Sequence, residues 1–313
     1  MKLLNEPLYP PVSPFDWEME LFQSRYVRRL KHLAHFGAGS FVSSVTHSRF
    51  EHTIGVWKLA AYFFPKDNSL RAAAILHDIG HLPFSHSVER ILGFNHHSLT
   101  NQYIQSEQIN HILYQAGMNA DEICTILNRD SSLTGSKEIL GFDHLDSFFR
   151  DNYMAGTLDK SPIEYLQKIT CTEQGIETDS VTAQHLMKLI ILDNTFIHSP
   201  LLLAADRLLA EAVKLHWKEE KEGFSSLIDA EVITKLKHSP IEKVKNIIDV
   251  LLFHPSKIYI TETHTKKGLE INKGKVYNKQ PLVNGRPFAE TTIGKTCNLQ
   301  LASLLKEYTV TII

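Results

Sequence analysis

The chain has 313 residues, 43% of them hydrophobic and 22% charged; that composition excludes wholesale disorder and suits one large domain, or a domain with an appendage. Its formal net charge of −2 gives no basic field to collect nucleic acid, so a small phosphorylated substrate held by a few local cations fits better. Three scattered cysteines (Cys124, Cys171 and Cys297) suggest neither a disulfide framework nor a zinc ribbon, and no apolar run reaches the roughly 18 residues of a membrane span.

Residues 1–14 hold four prolines and no apolar run after a basic start, unlike a signal peptide. A cytoplasmic protein in a reducing compartment, with no membrane association, is expected. Residues 17–36 read as helix with basic positions at Arg25, Arg28, Arg29 and Lys31, broken by Gly37 and Gly39. Residues 49–64 carry apolar side chains at helical spacing and stop at Pro65. Ser69 is a candidate cap for a helix over 70–78, which Gly80 and Pro83 end. Residues 102–116 and 120–127 look amphipathic, and 142–154, 185–196 and 201–217 follow, the last as the clearest helical stripe. No strand-like alternation of any length occurs before residue 255. Beyond it, 257–263, 276–283 and 308–313 read as strands punctuated by Gly268, Gly274 and Gly285. The expectation is a mainly α protein: a helical body over 1–255 and a small β-containing appendage over 256–313.

Seventeen histidines are present, and ten fall within residues 32–111. Imidazole is the commonest metal ligand and a natural proton carrier near neutral pH. The densest text is His77-Asp78-Ile79-Gly80-His81-Leu82-Pro83-Phe84-Ser85-His86. Adjacent helical side chains point about 100° apart, so His77 and Asp78 reach one ion only at a helix end, which Gly80 and Pro83 supply. Arg49-Phe50-Glu51-His52 precedes this block and Asp143-His144-Leu145-Asp146 follows it. Together His52, His77, Asp78 and Asp143 make a set of two imidazoles and two carboxylates. Such a mixed N/O site suits a divalent Mn, Fe, Mg, Zn, Ni or Co ion, with positions left for substrate and an activated water. His86 stands three residues before Glu89, so Glu89 can orient its ring while His86 protonates a leaving oxygen.

This order of blocks, His, then His-Asp, then Asp, resembles the HD phosphohydrolase superfamily. The fuller text over 47–55 and 77–86 resembles its deoxynucleotide triphosphohydrolase branch, and the likeness runs over about residues 25–210. It implies an HD-domain helical bundle that hydrolyses a nucleotide substrate, most simply a (d)NTP, to nucleoside and triphosphate. It further implies His52, His77, Asp78 and Asp143 as metal ligands, Arg49 on a phosphate oxygen and His81 on the phosphate next to the sugar. His86 and Glu89 would form the acid/base pair, joined by a histidine downstream, His97 or else His96. Asp151 matches the carboxylate that meets the sugar 3′-hydroxyl, and Lys188 stands where a phosphate-binding arginine is placed. A homo-oligomer, a dimer or larger, is implied as well.

The chain departs from that branch at His144 and Ser147, where the triphosphate enzymes carry Lys and Tyr, and at Phe196, where they carry Tyr. A lysine replaced by histidine loses a permanent cation for the outer phosphates. Another nucleotide phosphatase or pyrophosphohydrolase, or a non-catalytic nucleotide sensor, are the competing readings. His32, His35, His47 and His111 read as structural or exposed, Asp146 and Arg150 as an intrahelical ion pair, and Arg25, Arg28 and Arg29 as a solvated face.

Overall fold

The computed structural model describes residues 4–217, 221–263, 268–272 and 274–313. The chain is mainly helical. Asp16–Gln23 and Arg25–Arg29 are separate helices, because Ser24 leaves helical geometry and caps the second. The expected single helix over 17–36 is therefore broken, and it ends in a 3₁₀ turn at Leu30–His32. Arg49–Phe63 follows, started by a reciprocal cap in which Ser48 Oγ accepts the Glu51 amide at 3.4 Å and the Glu51 carboxylate accepts the Ser48 amide at 2.6 Å. Asn68–Leu76 is capped by Asp67, two residues before the cap expected at Ser69. His86–Leu92 and His96–Ile104 are short helices after the His-Asp turn. The region expected as one helix over 102–116 is divided between His96–Ile104 and Glu107–Gln115. Ala120–Asn128, Phe142–Met154, Ser180–Ile197 and Pro200–Trp217 match their sequence readings closely.

Two features run against the sequence reading. Ile169–Thr172 and Gly175–Thr178 form an antiparallel hairpin in a region read as free of strands. Of the stretch 276–283, only Leu282–Val283 is a strand, and it joins that hairpin's sheet in parallel through Glu177. The helices Asp229–Lys237, Glu242–Phe253 and Thr292–Ser303 were not singled out from the sequence. Ile258–Thr261, Tyr308–Ile312 and Leu269–Ile271 form a second sheet with Tyr308–Ile312 in the middle.

Two hydrophobic clusters organise the packing. The larger gathers the N-terminal helices around Trp57, Phe22, Phe142 and Phe149; the smaller gathers Phe84, Phe224, Leu208 and Val310. The segments after residue 255 divide between them, with Leu301 and Phe288 in the first and Ile271, Tyr308 and Val310 in the second. A buried ion network ties the first helix to the body. Arg71 donates to both oxygens of Glu18 at 2.8 Å, and Trp57 Nε1 donates to Glu18 Oε1 at 2.7 Å. Among the described residues, no single helix is long and apolar enough to cross a membrane.

Candidate metal centre and catalytic cavity

The last turn of Asn68–Leu76 delivers His77 and Asp78 into a cavity of about 560 Å³ whose walls come from elements of both clusters. Its lining includes Arg49, His52, His77, Asp78, His81, His86, His96, His97, Asp143 and Asp151. Gly80 makes the delivery possible. A Cβ there would lie 2.3 Å from both the His96 carbonyl and the Thr100 amide, so only glycine lets the His96–Ile104 helix close against the turn. Phe84 and Ser85 then adopt φ of 58° and 54°, unfavourable for residues with a Cβ. Neighbouring groups hold that strained pair in place. The Phe84 amide donates to Asp229 at 2.8 Å, Ser85 Oγ donates to the Ala34 carbonyl at 3.0 Å, and Arg49 Nε donates to Ser85 Oγ at 2.7 Å.

The four proposed metal ligands converge. His52 Nε2 lies 3.0 Å from Asp143 Oδ1 and 3.2 Å from His77 Nε2, and His77 Nε2 lies 3.5 Å from Asp78 Oδ1. The opposite ring nitrogens are engaged elsewhere: His52 Nδ1 with Asp146 Oδ2 at 2.7 Å, and His77 Nδ1 with the Ala74 carbonyl at 2.9 Å. An N–H on each Nδ1 leaves both Nε2 lone pairs aimed at one point beside two carboxylates. Outer partners of this kind orient metal-ligating histidines. The residues therefore fit a divalent ion bound by nitrogen and oxygen. Burial opposes charge on His52, but hydrogen bonds to Asp143 and Asp146 override it and raise its pKa to about 10. The carboxylates that favour a proton on His52 would favour a metal cation in that proton's place.

Asp146 does more than pair with Arg150. Arg150 binds it through Nε at 3.0 Å and Nη2 at 2.9 Å, and the same carboxylate holds His52. The ion pair read from sequence is present, and its place is behind His52. Gly55 permits it: a Cβ there would stand 1.9 Å from Asp146 Oδ1.

Around the quartet, Arg49 Nη1 binds Asp78 Oδ2 at 2.6 Å and His81 Nε2 lies 3.2 Å from Asp78 Oδ1. Burial opposes the Asp78 charge, yet Arg49, His77 and His81 hold its pKa well below the usual carboxylate range. Burial and then Arg49 push His81 well below the ordinary imidazole value, so it stands neutral. Glu89 bridges two rings, taking His86 Nδ1 at 3.1 Å and His96 Nδ1 at 2.8 Å. Burial opposes its charge too, but those two histidines keep it anionic. His96 also stacks on His81 with ring centroids 4.2 Å apart. Thus His96 is the histidine joined to the His86–Glu89 pair, while His97 lines the cavity beside it, 4.0 Å from the His96 ring.

Asp151 receives His47 Nε2 at 2.6 Å, and His35 stacks on His47 at 4.6 Å. His35 and His47, read as structural or exposed, therefore belong to the site's surroundings. Lys188 does not. It lies on the outer face of Ser180–Ile197, 60% exposed and paired with Asp159 at 3.3 Å, outside the cavity lining. Arg29 is also no solvated residue: its guanidinium donates to the carbonyls of His81 and Leu227. Residues that sequence reasoning missed include Asp193, Lys275 and Tyr277, all lining the cavity. His144 and Ser147 line it as expected of their neighbourhood; burial lowers the His144 pKa to about 4, so it carries no charge toward substrate at neutral pH.

Residues 49–134 match the family model described as the HD domain. The chain is 32% identical over 165 residues to an uncharacterised protein of Methanocaldococcus jannaschii, covering 50% of this chain and 35% of that one. It is 32% identical over 103 residues to a deoxynucleoside triphosphate triphosphohydrolase SAMHD1 homologue of Dictyostelium discoideum, covering 28% of this chain and 20% of that one. The chain thus spans about a third or less of the length of these two curated relatives. A solved phosphohydrolase from Bacteroides thetaiotaomicron superposes with a TM-score of 0.69 at 14% identity, over 98% of this chain and 99% of that one. That likeness is one of fold. The matched region contains the turn bearing His77 and Asp78, and the surrounding helices bring His52 and Asp143 to it; residues 49–134 of this chain are similar to the HD domain.

Proposed function

We propose that this protein is a metal-dependent phosphohydrolase acting on a nucleoside phosphate, and that its substrate is a nucleoside triphosphate cleaved to nucleoside and inorganic triphosphate. The observation that carries the reading is the convergence of His52 Nε2, His77 Nε2 and Asp143 Oδ1 within 3.0 to 3.6 Å, beside the Glu89-bridged His86 and His96. His52, His77, Asp78 and Asp143 would hold the metal. A divalent ion bound there lowers the pKa of water and offsets phosphate charge.

The chain's own residues supply the rest. Arg49, fixed by Asp78 and Ser85, presents a guanidinium to a phosphate oxygen. Neutral His81 offers a hydrogen bond rather than a charge. His86, turned by Glu89 through Nδ1, is left with Nε2 to hand a proton to the leaving oxygen, and Glu89 stabilises the ring when it is protonated. His96 shares Glu89 and fixes its orientation. Lys275, in the cavity wall, is a better placed cation for the outer phosphates than Lys188. Asp151 meets the sugar end. A homo-oligomer and a cytoplasmic setting belong to the same reading.

The test is product analysis. Purified protein with Mn²⁺, Co²⁺ or Mg²⁺ is incubated with each nucleoside triphosphate, with Asp78→Ala as control. Inorganic triphosphate released by the native sequence alone supports the reading. Release of phosphate or pyrophosphate instead keeps the hydrolase and rejects the triphosphate chemistry; binding without turnover rejects the hydrolase.

A further inference from the structure

Behind His52, outside the lining of the cavity, runs a row of buried charges that the chemistry above leaves unused. It begins in the segment before the first helix. There Glu6 accepts the amides of Leu8 at 3.0 Å and Tyr9 at 2.9 Å, and Leu4, Leu8 and Tyr9 enter the larger hydrophobic cluster. The Glu6 carboxylate stands between two cations: Lys58 Nζ donates to Oε1 at 3.1 Å and Arg150 Nη2 donates to Oε2 at 3.3 Å. Arg150 in turn stands between two carboxylates, since the same Nη2 donates to Asp146 Oδ1 at 2.9 Å. Asp146 then holds His52 Nδ1 at 2.7 Å. Charge therefore alternates from Lys58 through Glu6, Arg150 and Asp146 to His52, and the five side chains are at most 5% exposed.

Charges hidden from water act on one another with little screening. Asp146 is shared between two partners. The more of its charge Arg150 claims, the less it lends to the N–H of His52, and the weaker a ligand His52 Nε2 becomes for a cation. Glu6 draws on Arg150 from the other side and offsets its field. Lys58 does the reverse, by claiming Glu6. Each of the two outermost residues thus has a sign at the metal site: the carboxylate strengthens binding of a cation and the ammonium weakens it. Packing has no such sign, because removing either partner of a buried ion pair destabilises the fold.

We infer that Glu6 and Lys58 are opposed positioning residues for the metal centre, Glu6 raising and Lys58 lowering its affinity for a divalent cation through Arg150 and Asp146. This rests on the metal reading proposed above. It gives the segment before the first helix, which lies outside the matched residues 49–134, a part in the chemistry.

The experiment titrates Co²⁺ into the metal-free full chain and follows the visible absorption of the bound ion. Glu6→Gln, Lys58→Met and the double variant, in which the two lost charges cancel, are compared with the native protein after circular dichroism has shown that each is folded. Affinity should fall about three- to tenfold in Glu6→Gln, less than the roughly 10- to 100-fold loss expected of a direct outer partner. It should rise in Lys58→Met and return toward the native value in the double variant. Both single variants should melt below the native protein, so that stability and affinity move in opposite directions in Lys58→Met. Affinity that falls in both single variants, or changes in neither, overturns the inference. If one single variant does not fold, the sign of the change in the other decides; if neither folds, native affinity in the double variant supports the inference and a loss of about tenfold or more overturns it. A native chain that binds no Co²⁺ overturns it together with the metal reading. Opposite shifts in affinity without hydrolysis of any nucleoside triphosphate would leave this inference standing and reject the hydrolase reading.

Discussion

Asp146 receives His52 Nδ1 at 2.7 Å while gripping Arg150 through both of its oxygens. A residue four positions from its cation on one helix thereby fixes the tautomer and angle of His52, a proposed metal ligand, on another. Removing it should loosen the ligand without removing any donor. Asp146→Ala should lower metal affinity about 10- to 100-fold, read by competition with a chelator. Gly55→Ala should act in the same direction, because its added Cβ would stand 1.9 Å from Asp146 Oδ1. Native metal affinity in both variants would contradict this account of the outer partners.

The acid/base assignment separates two histidines. His86→Ala and Glu89→Ala should each reduce kcat by about 10²- to 10⁴-fold with bound metal retained. His96→Ala should cost activity as well, because it removes one of the two rings Glu89 bridges. His97→Ala should cost less, having no share in that carboxylate. Steady-state kinetics alongside metal analysis checks all four, and a larger loss for His97→Ala than for His96→Ala would reverse the choice.

Cation placement gives a third comparison. Lys188→Ala should leave kcat/KM unchanged, since Lys188 is 60% exposed and pairs with Asp159 away from the cavity. Lys275→Ala should raise KM for triphosphates more than for monophosphates. A substantial loss in Lys188→Ala would show that the helix face is misassigned.

The neighbouring carboxyls of Asp151 and Asp193 predict a pH effect on stability. Burial first, and the negative neighbour Asp146 among the other contributions, raise the Asp151 pKa from 3.8 to about 7. Between about pH 4 and 7 the folded protein therefore holds a proton that the unfolded chain has released, and stability falls as pH rises through that window. Asp206 and Asp229, both raised to about 6 mainly by burial, add to the same slope. Asp193→Asn removes one of the paired acids, so its Tm relative to the native chain should improve from pH 5 to pH 8. A difference that stays flat or shrinks with rising pH would show that no proton is shared.

The buried Glu18 network predicts a purely structural effect. Glu18→Ala strands Arg71 in the core and should cost about 3–5 kcal/mol, measured by denaturant unfolding.

The convergence of His52, His77, Asp78 and Asp143 was legible in the sequence because it is chemically conspicuous: His77 and Asp78 end an apolar helix with no packing reason to be there. The helices Phe142–Met154 and Pro200–Trp217 were legible from their spacing. The hairpin at 169–178 was not, since four-residue strands are too short to show alternation. Asp193 and His35 were hidden for another reason. Each is unremarkable alone and gains meaning only through neighbours distant in sequence, as His47 does through Asp151, 104 residues away. Lys188 shows the converse: five residues before Asp193 on one helix, it points about 140° away from it, to solvent.

The most direct test of the central claim is a metal titration of hydrolysis. Chelator-stripped native protein should release no phosphate species from a nucleoside triphosphate, and should regain turnover in proportion to divalent ion bound; His77→Ala and Asp78→Ala should do neither. Turnover that persists in stripped protein, or that returns equally in both variants, would contradict the account.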